Sequence, residues 1–439
     1  MLVVVLFVIS FIIAGISFIS SRRKLLSPLF LSSGVISVFC GIYIFSFRMI
    51  NSDIGYKTVV AVLFMLIATG GGEWLANRIG VCDKALKREI SSLNISDVVI
   101  SKKRTYLIFI LEVYAGISRF IRLYMFTRSV GNTSFFKTLS VARAYLAGAM
   151  QHDYKIDLTT PDVSIISYLA EPIAYFYVFW FMYCFIIKKQ KKMYCLLPVV
   201  GDAFILASST SRTVFIVIAT AFITSYAYWD LTRIKKRQIN KKLIGYGTLF
   251  IAVFFIYGKA TRGGGVMFGA KEIYASSAAG LYGLTEYFKE PWEKNELFGQ
   301  RTLKPLYDII GNDISVKTNN TVLSFYVWGY NTEDYSNIYS SLALPIHDFG
   351  MFGMFIVRFV IAIIAISLIK MLVSKDVQDP VFYILLFYVN QFVYSYMSCM
   401  IADRFYAFLT NVRLFMINIV FTYIAIKYVV RWNGALERV

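Results

Sequence analysis

Residues 2–20 read LVVVLFVISFIIAGISFIS and run directly into Ser21-Arg22-Arg23-Lys24. No charge interrupts the apolar stretch, and about 17–25 such residues suffice for a helix to cross the hydrocarbon core of a bilayer. The basic residues follow the run. A cleaved signal peptide carries its positive end first, so this segment reads as a retained first span with its N-terminus outside. Working outward, further apolar runs lie at about 25–47, 57–77, 105–124, 162–187, 193–208, 212–229, 243–259, 350–370, 381–399 and 411–430. Together they predict an all-α, polytopic transmembrane helical bundle of about eleven spans, with 1–439 forming a single integral membrane domain. Composition agrees: 58% of residues are apolar and 16% charged, whereas charged residues make up about a quarter of a soluble domain. A soluble enzyme is excluded.

The loops orient the bundle. Lys/Arg clusters occur at Arg22 to Lys24, Lys84 to Arg104, Lys188 to Lys192, Arg233 to Lys242, Lys370 with Lys375, and Lys427 to Arg438. With the spans above, all six fall on one side, and the positive-inside rule makes that side the cytoplasm. The net charge of +19 is therefore a topology signal and a contact with lipid headgroups. Split among short loops, it does not point to nucleic acid. Two outer loops are long, at about 125–161 and 260–349, and loops beyond roughly 12–15 residues are usually functional or disordered. The second holds ten acidic and seven basic residues and includes Trp292, Trp328, Phe298 and Phe325. That composition predicts ordered short helices lying on the outer membrane face.

Several chemistries lack their signatures. The cysteines Cys40, Cys82, Cys184, Cys195 and Cys399 form no CxxC pair, so neither metal nor disulfide is implied. There is no GxxxxGK[ST], HExxH, GxSxG or DxD motif, so no nucleotide, metal or other cofactor is expected. A donor used at the outer face would have to be membrane-borne.

Polar groups gather toward that face, and ionisable side chains in spans mark function by default. The fourth span carries Glu112, Arg119 and Arg122, the fifth Glu171 and the sixth Asp202. Arg212 opens the seventh span after Ser208-Ser209-Thr210-Ser211, Arg262 precedes Gly263-Gly264-Gly265, and Arg404 lies before the last span. Guanidinium forks hold phosphate oxygens bidentately, and a glycine triplet lets backbone N–H groups approach an anion. This reads as a site for a lipid-linked phosphate or pyrophosphate. The plainer alternative is that each arginine snorkels to headgroups or pairs with Glu112, Glu171 or Asp202. The only two histidines, His152 and His347, both fall in outer loops. His347 or Asp348 is placed to take a proton from a sugar hydroxyl, and Asp348 suits equally the N-cap of the ninth span.

Three features resemble the O-antigen polymerase family, the Wzy-type polymerases of oligosaccharide repeat units. Leu206-Ala207-Ser208-Ser209-Thr210-Ser211-Arg212-Thr213 is similar to that family's Ser-Arg-Thr turn into a span. The long loop between two late spans is the second. The third is Asn337-Ile338-Tyr339-Ser340-Ser341 leading to His347-Asp348-Phe349-Gly350-Met351-Phe352-Gly353, which resembles the family's Asn-x-Tyr stretch and Asp-x-Gly-x-x-Gly entry to a span. The resemblance implies a metal-independent glycosyltransferase of the bacterial inner membrane. Its substrate would be an undecaprenyl-pyrophosphate-linked oligosaccharide, its surroundings membrane lipid, and a chain-length regulator protein would be a further partner. An acceptor hydroxyl would attack the anomeric carbon, and undecaprenyl pyrophosphate would leave. Carried over, Arg212 and Arg262, with Arg119, Arg122 and Arg404, would hold the pyrophosphate, and His347 or Asp348 would be the base. An O-antigen ligase with the same donor and a lipid-linked sugar flippase stay open as readings. The flippase finds no inverted repeat in its support.

Overall fold

The apolar runs that fill the sequence become helices whose outward faces stay apolar. A computed structural model describes residues 1–20, 24–45, 53–79, 98–131, 134–142, 159–208, 213–231, 268–293, 295–311, 321–327, 330–336, 340–377, 379–400, 412–427 and 436–438. Its helices are α1 (Leu2–Ser20), α2 (Pro28–Phe45), α3 (Tyr56–Arg78), α4 (Lys102–Ser129), α5 (Pro161–Ile186), α6 (Leu197–Ala207), α7 (Thr213–Leu231), α8 (Phe268–Lys289), α9 (Lys304–Ile310), α10 (Ala343–Ser374), α11 (Pro380–Met397) and α12 (Val412–Ile424). All the anticipated spans but one coincide with a helix; the one at about 243–259 lies outside the described residues. Among the described residues four helices, α1, α3, α5 and α10, are long and apolar enough to cross a membrane. On α1, Val4, Val8, Phe11, Ile12, Ile16 and Ile19 are exposed, and on α4 so are Leu107, Ile110, Leu111, Ile117 and Ile121. Contiguous apolar faces of this size suit hydrocarbon rather than water. The chain is a helical protein with the features of a membrane protein.

Two short ladders accompany the helices: β1 (Val98–Ile100) pairs antiparallel with β4 (Leu436–Arg438), and β2 (Thr321–Val327) with β3 (Tyr330–Ser336). The second is a correction to the expectation of short helices throughout the 260–349 loop. Its register runs from Thr321↔Ser336 to Val327↔Tyr330, and the first strand is built from Thr, Val, Phe and Tyr, residues that favour a pleated backbone. Helix α8, of 22 residues, is longer than the short helices expected there, and Ala278, Ala279, Leu281 and Leu284 are part of a hydrophobic core. Gly280 allows it: a Cβ there would collide with the Met400 carbonyl.

The chain divides into two compact units. The first comprises Met1–Lys87, Gly269–Ser374 and Tyr388–Ile417. Here α1 and α2 run antiparallel, tied by hydrogen bonds between the hydroxyls of Ser37 and Ser10 (2.9 Å) and of Ser17 and Ser27 (3.0 Å). The buried Glu73 of α3 accepts from Ser27 Oγ at 2.8 Å and Leu29 N at 3.2 Å. A carboxylate placed on the first turn of α2 satisfies an orphan amide and the helix dipole together. Helices α3 and α10 lie parallel, Phe64 against Phe355 and Gly72 against the Phe359 carbonyl. Lys370, counted above among the cytoplasmic cations, is buried, and its ammonium donates to Ala76 O (2.5 Å) and Ile79 O (3.4 Å) at the C-terminus of α3. It caps carbonyls that the helix itself cannot satisfy.

The second unit comprises Arg88–Phe268, Lys375–Phe387 and Asn418–Val439. Its centre is α5, buried continuously from Pro172 to Ile186. Phe176, Phe179, Trp180 and Tyr183 of α5 meet Tyr228 and Trp229 of α7 and Phe382 and Tyr383 of α11 at tilted and edge-on ring angles. Two indoles are satisfied inside this cluster: Trp180 Nε1 donates to Tyr383 Oη at 2.9 Å, and Trp229 Nε1 to the Phe179 carbonyl at 3.1 Å. These aromatics are core, which is how most rings in so aromatic a chain are used.

Candidate functional site

The Asp-x-Gly-x-x-Gly stretch has a definite shape. Gly350 takes φ 71°, ψ −179° and breaks α10 into a short helix, 343–349, and a long apolar one, 351–374. That backbone region is essentially closed to residues with a Cβ. Gly353, one turn further, packs beneath the Phe349 ring, where a Cβ would collide. The kink places His347, Asp348 and Phe349 just ahead of the long apolar helix and turns them toward the loop 291–303.

Asp348 holds that loop. Its carboxylate accepts from Asn295 Nδ2 (2.5 Å), from the main-chain amide of Thr302 (2.5 Å) and, more weakly, from that of Arg301 (3.4 Å). Phe349 adds a ring contact with Phe298, centroids 5.1 Å apart. Asp348 therefore does not serve as the N-cap that the sequence suggested; it fastens a loop.

His347 is oriented from the other side. Its Nδ1 lies 3.2 Å from the Tyr287 hydroxyl of α8. The ring also meets Trp292 at 5.6 Å, and the Arg301 guanidinium lies over that Trp292 ring, 4.7 Å from its centre. Burial pushes the Tyr287 hydroxyl up to about 12, so it stays a neutral phenol. Burial first, then the Arg301 charge, hold the imidazole below its ordinary value, while Asp348 and the Glu293 backbone pull the other way. The Glu293 contact does not reach hydrogen-bond geometry, and Nε2 is buried without a partner among the described residues. Asn295 Oδ1 and Thr302 Oγ1, in the same cluster, are likewise buried and unpartnered. A group of buried polar atoms left unmatched is unusual in a finished core and is what a polar ligand would satisfy.

No protein-family model, curated protein or solved structure matches the chain. The site is therefore read from its own residues.

Of the anticipated residues, His347 and Asp348 come together in the first unit. Glu112, Arg119 and Arg122 on α4, Glu171 on α5 and Asp202 on α6 belong to the second. Arg212, Arg262, Arg404 and His152 lie outside the described residues. Arg119 and Arg122 are half-buried and form no ion pair with Glu112, Glu171 or Asp202 among the described residues. Three residues escaped the sequence reading. Tyr287 and Arg301 carry no spacing signal, because only the tertiary fold brings them to His347. Arg358 did carry one, as a lone cation in an apolar run. It is 1% exposed and donates from Nη2 to the carbonyl (2.5 Å) and hydroxyl (2.6 Å) of Ser341, fixing the chain that leads into His347.

Proposed function

We propose that this chain is a membrane glycosyltransferase of about eleven spans. It would join undecaprenyl-pyrophosphate-linked oligosaccharide units at the outer face of a bacterial inner membrane, with residues 260–349 on that side. The observation that carries the reading is His347: an imidazole held toward its neutral form, anchored through Nδ1 and open at a buried Nε2. With Nδ1–H donating to the Tyr287 oxygen, Nε2 keeps its lone pair and acts as a base; with the phenol donating, Nε2 carries the proton instead. Polymerisation uses the first tautomer. The acceptor hydroxyl gives its proton to Nε2 as its oxygen attacks the anomeric carbon of the donor, and the pyrophosphate leaves with its electron pair. Charge grows on that leaving group, and preorganised guanidiniums stabilise growing charge most strongly. Among the described residues Arg301 is the cation whose charge acts on the base, and Arg212, Arg262, Arg404, Arg119 and Arg122 are the others that the sequence offers.

The test is a polysaccharide ladder from a deletion strain complemented at matched expression. His347→Ala should cut the rate by ~10²–10⁴, the usual worth of a general base, and His347→Gln should not restore it. Tyr287→Phe, which removes the oxygen that anchors Nδ1, should give a smaller loss. Normal long chains from His347→Ala would remove it from the chemistry.

A further inference from the structure

In the second unit, α4 packs on α5, α6 and the turn Met193–Leu196, and α6 packs on α7. At the α4–α6 contact the carboxylate of Glu112 is 2% exposed, and neither of its oxygens has a hydrogen-bond partner. It points at Gly201: a Cβ there would collide with Oε2. The next residue, Asp202, is also 2% exposed, and neither a hydrogen bond nor an ion pair reaches it among the described residues. Glu112 and Asp202 lie within electrostatic reach of each other, and Asp202 within reach of Glu171 of α5. Glu171 itself accepts from Tyr175 Oη at 2.6 Å.

Among the described residues no cation pairs with either carboxyl. Arg119, two turns along the same helix, forms no ion pair with Glu112, and its own buried Nε makes no hydrogen bond. The other titratable groups facing the pair are Tyr177 of α5, hydrogen-bonded to Thr105 at 3.1 Å, and behind it Cys195 and Tyr194. The described side chains of α7 bring no titratable group to either carboxyl. Two buried carboxylates within electrostatic reach of each other, and unpaired among the described residues, are strongly unfavourable. A single proton relieves both the desolvation and the mutual repulsion, and it supplies the O–H donor that the pair lacks. A metal ion fits less well, since no three His, Cys, Asp or Glu side chains among the described residues are grouped to hold one.

We propose that Glu112 and Asp202 form a proton-binding site inside the second unit. Hydronium from the aqueous phase gives its proton to one carboxylate and leaves as water. An O–H bond forms, and the pair falls from two negative charges to one. The deprotonated pair would repel across the narrow α4–α6 contact, where Gly201 faces Glu112 and Gly116 faces the Phe204 ring. Proton occupancy thus sets how closely these two helices pack. The site stands apart from the glycosyltransferase reading, and its test measures no sugar transfer.

The test uses the full chain in membrane vesicles treated with dicyclohexylcarbodiimide, an apolar reagent that forms a stable adduct with protonated carboxyls buried in membranes. Peptide mass spectrometry should find the adduct on Glu112 or Asp202. It should fall several-fold as the pH is raised from mildly acidic to mildly alkaline, and it should be the same in sodium and choline salts. Infrared spectra of the same vesicles give a reading that does not depend on reagent access: Glu112→Gln should remove a carboxylic-acid C=O band. A labelled carboxyl or a lost band supports the site. If neither carboxyl is labelled and the band is unchanged, no proton is bound and the proposal fails. It fails also if sodium protects at fixed pH, because the occupant is then a metal cation.

Discussion

Replacing Asp348 by alanine separates a fastening from a reacting group. The carboxylate accepts three hydrogen bonds, from Asn295 Nδ2 and the amides of Thr302 and Arg301. Removing it leaves the Thr302 amide without an acceptor and weakens the hold on Arg301 and Asn295. An unsatisfied buried donor costs about 1–3 kcal/mol. With the 3.4 Å contact counted as weak, Asp348→Ala should loosen the closure of loop 291–303 on α10 by about 2–4 kcal/mol. His347→Ala gives up one 3.2 Å hydrogen bond to a phenol and should cost about 1 kcal/mol. The two variants should therefore diverge in stability while both lose activity. Cys40, Cys184, Cys195 and Cys399 are buried free thiols, so a thiol-reactive fluorescent dye reports unfolding in detergent without added labels. Limited proteolysis of loop 291–303 in membranes reports the local opening. Asp348→Ala should melt earlier and be cut faster; His347→Ala should melt only slightly below the parent and be cut at the parental rate. Were Asp348→Ala to melt and resist protease like the parent yet make no polymer, the carboxylate would be a reacting group and the assignment of base to His347 would be wrong.

Two further expectations rest on buried cations. Arg301 opposes the imidazolium, so Arg301→Gln should raise the value of His347 and move the acidic limb of the pH–rate profile to higher pH; a limb that stays put or moves down refutes the contact. The same shift acts on stability. The folded ring binds a proton less readily than the unfolded one, so the parent loses stability as pH falls through the ordinary histidine range, and Arg301→Gln should lose less there, read by the same dye melts across pH. Arg358→Met removes two charge-assisted hydrogen bonds to Ser341 and should destabilise the first unit by about 2–4 kcal/mol; a melt at the parental temperature would show that Ser341 does not need its anchor.

Hydropathy alone placed most helices to within a few residues, because an uninterrupted apolar run has one outcome wherever backbone groups must be satisfied within the segment. The first span, 2–20, coincides with α1, and 162–187 differs from α5 by a single residue at each end. The sequence also singled out His347 and Asp348. Their roles were not legible in it. Whether a carboxylate caps its own helix or fastens a loop 46 residues away in sequence depends on which amides the fold delivers, and no local pattern records that. Arg301 reaches His347 only through the same loop, and Glu112 comes within electrostatic reach of Asp202 only because Gly201 lets two helices touch. Local apolar patterning decided the elements. Contacts between segments distant in the chain decided which polar groups are satisfied and which are left open, and only the packed structure contains those.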